Sequence, residues 1–363
     1  MSKPSRLRLD KISFRPALKK IAVDNSYKNN PRLKKVLSKA TGYGLEIAAN
    51  AAFRTDSIRN QKSCLQLTAA RKKFIKLWPA APRIVGKDEW CLLPVEGCVM
   101  DCCYCYLQGY LSRHYPVANL NTAEMINQLD DFFAKKNSSK MYDFSLGELS
   151  DGLYLEPLLN ILPELWKFFE DKNGRLEIRT KSHHVHNLPD KLNPHPNGVF
   201  CWTISPPKKV NRLELFSAPF KQRLAAMQYM LKAGFKVGIR FDPIILSENW
   251  KTEYSGMIKQ LKQHLDLNEI SYIVAGTFRF PAGFDKIMQK RFPGRDFLRD
   301  ELIKGPDGKY RYPRRRRSEA YKKLKRMLGP EVKNLSLCME PHYIWEDSGL
   351  KNQSQRRARN DPL

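Results

Sequence analysis

The sequence predicts an α/β fold of parallel strands covered by helices, and three observations carry that prediction. From Glu89 onward, short apolar runs alternate with longer stretches of helical character. The alternation repeats about six times, the mark of strand–helix units that build a parallel sheet. The 363 residues, 42% of them hydrophobic, suffice for one large domain with a real core and extensions.

In chain order, the predicted strands are 89–95 (EWCLLPV), 142–148 (YDFSLGE), 175–181 (RLEIRTK), 199–205 (VFCWTIS), 236–245 (KVGIRFDPII), 272–280 (YIVAGTFRF) and 334–340 (NLSLCME). Predicted helices lie between them. One spans 123–136 behind the N-cap candidate Thr122, and one spans 157–171. Two more span 218–234, stopping at Gly234, and 249–265. An open or partial barrel and a doubly wound sheet both fit this order. Before residue 85 the chain is basic with weak periodicity, and 67–78 (LTAARKKFIKLW) reads as a basic amphipathic helix. Residues 1–85 are therefore expected to form a basic N-terminal extension, 86–340 the main unit, and 341–363 a basic tail.

Charge and cysteine usage narrow the function. Lys and Arg total 64 against 37 Asp and Glu, a formal net charge of +27. Such an excess implies an anionic partner, most often nucleic acid. No apolar run approaches the ~20 residues of a membrane span. The opening stretch lacks the apolar core of a secretory signal. Four of eight cysteines crowd into EGCVMDCCYCYLQ (96–108), and the others scatter, which suits a metal or redox cluster in a reducing cytoplasm.

Cys98, Cys102 and Cys105 are spaced C-x3-C-x2-C. Three thiolates on one loop can hold three irons of a 4Fe–4S cluster and leave the fourth open to a ligand. Structural zinc normally takes four closed ligands, often as two pairs. No second Cys or His pair stands at a suitable spacing, since His183, His184 and His186 follow a predicted strand. Cys103 adjoins Cys102 and reads as a non-ligand, because adjacent side chains diverge. The cluster follows the first predicted strand, at the carboxyl end where chemistry gathers in such folds.

C-x3-C-x2-C with an aromatic before the last Cys resembles the signature of radical S-adenosylmethionine (SAM) enzymes. CYCYLQ with its basic sequel, RTK (179–181), NWKTEY, TFRF (277–280) and KRFP (290–293) resemble, in order, the spore photoproduct lyase family, from about Trp90 to Met339. The resemblance implies a partial (βα)6 radical-SAM barrel, a 4Fe–4S cluster and SAM. It implies light-independent repair or modification of a DNA base lesion through a 5′-deoxyadenosyl radical. An electron donor such as flavodoxin or ferredoxin follows. The alternatives are a radical SAM enzyme acting on RNA, protein or a small molecule, and a nucleic-acid-binding protein with a structural metal knuckle.

By the same resemblance, Cys98, Cys102 and Cys105 ligate the cluster. Tyr104 packs near the adenine, and Tyr104 and Tyr106 relay a hydrogen atom. Gly147-Glu148 takes the SAM amino group, and Lys181 its carboxylate. Ser205 is a candidate ribose contact, and Arg240 with Asp242 face SAM, the substrate or each other. The run Arg314, Arg315, Arg316, Arg317 is an exposed phosphate-contact candidate. One departure stands out. Aligning Ser150-Asp151 with the family's Ser-Asp pair puts Glu148 where the family has its hydrogen-donor cysteine. Cys338, ending the last predicted strand, is the candidate replacement.

Overall fold

The structure, a computed structural model, describes residues 7–24, 31–48, 57–70, 72–137, 139–298, 300–330 and 332–350. The described part of the expected N-terminal extension carries regular structure. It supplies β1 (Lys20–Val23), α1 (Pro31–Gly42), β2 (Glu46–Ala48), α2 (Ile58–Lys62), β3 (Cys64–Thr68) and β4 (Ile75–Trp78). Helix α1 buries Leu33, Val36 and Ala40, one stripe of a helical repeat. The helix expected over 67–78 is not formed. Leu65 and Leu67 alternate into the core, so this stretch closes β3, and FIKLW opens β4. A two-residue apolar period outweighs the helical pattern there.

Next come β5 (Glu89–Leu92), β6 (Val95–Glu96), α3 (Leu107–Tyr110), β7 (Val117–Asn119), α4 (Thr122–Lys135) and β8 (Tyr142–Leu146). The strand expected over 89–95 is therefore split at Pro94, and its two parts enter different sheets. One sheet runs β2-β1-β3-β7-β6, tying the N-terminal strands to those flanking the cysteine loop. The cap of α4 is Asn121, not Thr122: its side chain accepts from the Glu124 amide at 3.3 Å. Thr122 is the first helical residue and donates to Glu164 at 2.7 Å.

Helices α5 (Glu156–Leu159) and α6 (Leu162–Phe168) replace the single helix expected over 157–171. Asn160 breaks it with φ +51°. The buried Glu156 carboxylate then accepts the Ile161 and Leu162 amides at 3.0 and 3.1 Å. Then follow β9 (Gly174–Thr180), β10 (Gly198–Thr203), α7 (Pro207–Leu213), α8 (Phe220–Lys232), β11 (Val237–Ile244), α9 (Trp250–His264) and β12 (Ile270–Thr277). Helix α8 leads to Gly234, whose φ of +86° ends it as expected.

The expected strand over 272–280 ends at Thr277. β13 (Arg279–Phe280) turns away and pairs with β15 (Tyr310–Arg311), which also pairs with β14 (Ile303–Lys304); α10 (Phe284–Arg291) lies between. The described chain closes with α11 (Arg314–Leu328), β16 (Leu335–Leu337) and α12 (His342–Asp347). Of the basic tail expected over 341–363, residues 342–347 form α12, and 351–363 lie outside the described residues.

The main sheet runs β16-β12-β11-β10-β9-β8-β5-β4. Every neighbouring pair is parallel except the β4 edge strand. It curls into a partial barrel, which settles the choice against a doubly wound sheet. Its outer face is apolar: Leu176, Ile178, Phe200, Trp202, Ile239 and Phe241 are buried beneath helices. Its inner face is polar. Ser145 sits beside Glu177, Arg179 beside Cys201, and Thr203 beside Arg240. Because the strands are parallel, their carboxyl ends form one mouth. Among the described residues, no helix is long and apolar enough to cross a membrane.

The Arg314–Arg317 run opens α11 at this mouth, but it is not uniformly exposed. Arg317 is 2% exposed, ion-paired with buried Glu340, and donates to the Tyr312 carbonyl at 2.8 Å. It is withdrawn from the exposed set. The helix turn places it inward, where Tyr321 and Leu324 also pack. Arg316 is half-buried against Asp300, while Arg314 and Arg315 are exposed and pair with Asp347 and Glu319.

Candidate active site

The cysteine loop leaves β6 at Gly97 and enters α3 at Leu107. Gly97 has φ +90°, and a Cβ there would lie 2.8 Å from Pro116 Cα. Only glycine fits this turn. The loop is stitched to the segment after α7. The Cys103 amide donates to the Leu213 carbonyl at 2.8 Å, and the Phe216 amide donates to the Met100 carbonyl at 3.1 Å. Burial pushes the Cys98 thiol up to about 12 and raises Cys102 and Cys105 as well. Lys62 opposes this at Cys98 and Cys105, and Lys181 opposes it at Cys102 and Cys105. Cys103 is wholly buried in the apolar core.

The two tyrosines turn toward different carboxylates. The Tyr104 hydroxyl donates to Glu214 Oε1 at 2.5 Å. The Tyr106 hydroxyl donates to the Glu148 carbonyl at 2.7 Å and to its Oε1 at 3.2 Å. Glu214 is fully buried and also receives Ser205 at 2.9 Å and an ion pair from Arg223. Burial penalises its charge, but Arg223, then Lys181 and the Tyr104 hydroxyl outweigh that and hold its carboxyl at about 2. Ser205 thus has its proton committed, leaving its oxygen as an acceptor.

Gly147 ends β8 with φ +109°, and a Cβ would lie 2.5 Å from the Arg179 carbonyl oxygen. The neighbouring Glu148 carboxylate pairs with Arg179 at 2.6 Å. Lys181 follows β9. Its amide donates to Asp151 Oδ2 at 2.7 Å, and its ammonium lies 5.8 Å from the Tyr104 ring centre. Among the described residues no carboxylate is in salt-bridge contact with that ammonium.

Deeper in the lumen, Arg179 also binds Glu89 and Glu177, and Arg240 pairs with Glu177 at 3.4 Å. Asp242 takes Arg279 at 3.0 Å and Arg240 at 3.7 Å. Cys338 completes this group. Arg279 and Arg240 approach its sulfur at 3.2 and 3.5 Å. Burial, then Asp242, push the thiol up to about 11, so it stays protonated near neutral pH.

Sequence reasoning missed Glu214, Arg223, Arg179, Glu177 and Arg279. Arg223 is hidden in an ordinary amphipathic helix. Glu177 and Arg179 carried a signal in the alternation of RLEIRT, whose charged positions face the lumen. Cys201 lies on the lumen face but is fully covered.

The donor set suits the groups that the motif implies. Three thiols on one loop, at the C-x3-C-x2-C spacing, are the donor type that an iron–sulfur cluster takes. The Lys181 ammonium, in no direct salt-bridge contact, fits a carboxylate, and the bare Gly147 lets the ends of β8 and β9 close up beside it.

This is a partial-barrel α/β protein with a three-thiol loop at the mouth of a polar lumen. A family model described as spore photoproduct lyase matches residues 55–336, and the chain belongs to that family of radical SAM enzymes. The match reaches into the segment read from the sequence as an extension. The chain is 27% identical over 252 residues to spore photoproduct lyase of Bacillus subtilis, covering 67% of this chain and 70% of that one. It is 27% identical over 244 residues to the Geobacillus lyase, covering 65% and 68%. A solved cysteine-to-alanine variant of spore photoproduct lyase, with dinucleoside spore photoproduct, superposes with a TM-score of 0.76 at 23% identity, covering 88% of this chain and 98% of that one. Another variant, with bound AdoMet and the same dinucleoside, gives 0.74 at 23% identity and the same coverage.

Proposed function

We propose that this protein repairs or modifies a base lesion in DNA, without light, by radical chemistry begun at the Cys98–Cys102–Cys105 loop. One observation carries the reading: the thiol loop and the Lys181 ammonium meet at Tyr104, at the mouth of a polar lumen that holds the protonated Cys338 thiol deeper in. The family membership and the dinucleoside spore photoproduct in related structures support DNA as the target.

Cys98, Cys102 and Cys105 would hold a 4Fe–4S cluster, and SAM would meet Lys181, Gly147-Glu148, Tyr104, Ser205 and Arg240. When bound, these groups supply a 5′-deoxyadenosyl radical that takes a hydrogen atom from a nucleobase or linked dimer. The chain's own residues do the rest. Asp151 fixes the backbone of Lys181, and Arg179 fixes Glu148. Asp242, Arg240 and Arg279 hold the Cys338 thiol within the lumen. Cys338 would end the reaction: its S–H bond breaks, a C–H bond forms on the product, and the unpaired electron stays on sulfur. Tyr104 and Tyr106 are the relay candidates.

A flavodoxin- or ferredoxin-type donor in the cytoplasm suits such a site.

Phosphate contact falls to the exposed Arg314 and Arg315 at the mouth, with Arg316 beside them. Arg315→Ala should lower the slope of log affinity against log salt on duplex DNA by about 0.9, with little change in stability. Arg317→Met should instead destabilise the fold by about 3–5 kcal/mol, because it leaves Glu340 charged and buried. Salt titrations of binding and denaturant melts of both variants check this. The function itself is tested by incubating reconstituted protein anaerobically with SAM, dithionite and irradiated DNA. A DNA product altered in the dark supports the reading, and unaltered DNA despite SAM cleavage opposes it.

A further inference from the structure

The cysteine loop is gripped from behind by charges that no role above uses. Asp101, between Cys98 and Cys102, has φ +52°, so the loop turns sharply there. Its buried carboxylate meets Lys62 Nζ at 3.2 Å, Arg291 at 3.0 and 3.2 Å, and Gln108 Nε2 at 3.0 Å. Lys62 is 3% exposed and also donates to the Cys98 carbonyl at 3.3 Å. Lys62 ends α2 and Arg291 ends α10, so two elements remote in sequence close on one loop.

Lys62, Arg291 and Asp101 together carry one net positive charge, and Lys62 acts on Cys98 and Cys105. Stability alone does not account for it, since buried ion pairs are often no more stable than well-packed apolar replacements. A buried charge does act strongly on a redox centre nearby, because the low dielectric screens it little. Reduction adds an electron, so a positive charge favours the reduced state and a negative one opposes it. Cluster potentials follow local charge and surrounding hydrogen bonds in this way.

We propose that Lys62 and Asp101 are positioning residues that set the reduction potential of the cluster held by Cys98, Cys102 and Cys105. The inference rests on the assignment of that cluster under the proposed function. Its signature is opposite signs. Lys62→Met removes a positive charge and should shift the potential more negative. Asp101→Asn removes a negative charge and should shift it more positive, and Asn tolerates the left-handed backbone there. The double variant should return near the starting value, because its net charge equals that of the native set.

The test is a potentiometric titration of anaerobically reconstituted protein, without SAM or DNA, read by electron paramagnetic resonance, with iron and sulfide assayed alongside. Opposite shifts at unchanged iron content support the proposal. No shift, or shifts of the same sign as loop displacement would give, overturns it. If Lys62→Met loses its iron, the sign of the Asp101→Asn shift decides alone. A native protein that takes up no iron would instead overturn the site assignment, and this inference with it.

Discussion

Cys98→Ala, Cys102→Ala and Cys105→Ala should each lose the 4Fe–4S cluster and all SAM cleavage, whereas Cys103→Ala should keep both. Each of the three thiols would bind a different iron, so none can be spared. The loop is too constrained to offer a substitute. Gly97 and Asp101 fix its turns, and the Cys103 and Phe216 amides pin it to the segment after α7. Cys103 lies beside the ligands in sequence but its side chain is wholly buried in apolar packing. Its truncation leaves a small cavity, a packing cost rather than a lost ligand. Iron analysis, visible absorbance and 5′-deoxyadenosine release check the set. Loss of the cluster in Cys103→Ala with retention in Cys105→Ala would mean that the ligand assignment is wrong.

Cys338→Ala should continue to cleave SAM while its DNA product changes from clean turnover to adducts of an unquenched radical. Three observations motivate this. The resemblance to the family sets Glu148 where a donor cysteine is expected, and the Glu148 carboxylate is tied to Arg179. A carboxylate cannot give a hydrogen atom as a thiol does. Cys338, by contrast, faces the polar lumen and keeps its proton. The expectation that it ends a strand at the mouth holds to within one residue, since β16 closes at Leu337. Its neighbours Asp242, Arg240 and Arg279 lie outside the cluster loop, and Lys181, Gly147-Glu148 and Tyr104 do not touch it, so the cluster and these SAM contacts stay intact in the variant. Product analysis by mass spectrometry decides. Unchanged products and rates would remove Cys338 from the reaction and leave Tyr104 and Tyr106 as the next donors.

The parts legible in the sequence were those with a local period or a local spacing. The strands around RLEIRT, VFCWT and KVGIRF carry continuous or alternating apolar positions, and each forms where its pattern lies. The three-cysteine spacing sits within eight residues, so it needed no tertiary information. The errors arose where distant contacts outweigh local preference. The stretch 67–78 has a helical look, yet β4 is held by antiparallel pairing with β5. The helix expected over 157–171, by contrast, carries its own break in Pro163, which suits only the first turn of a helix, and the buried Glu156 carboxylate caps that second helix three residues after Leu159. Arg317 looks like its three neighbours, and only the buried Glu340 from the end of β16 distinguishes it. The lumen charges were hidden for the same reason. Glu214, Arg223 and Tyr104 meet only because three separate segments converge.

The central claim is that the thiol loop starts radical chemistry on a DNA lesion in this lumen. Its most direct test is dark, anaerobic incubation of iron-reconstituted protein with SAM, dithionite and ultraviolet-irradiated DNA, with nucleosides and SAM products read together by mass spectrometry. The account predicts 5′-deoxyadenosine release together with loss of a photoproduct or appearance of a modified base, both absent in Cys102→Ala. Release of 5′-deoxyadenosine with every DNA lesion left unchanged would contradict it.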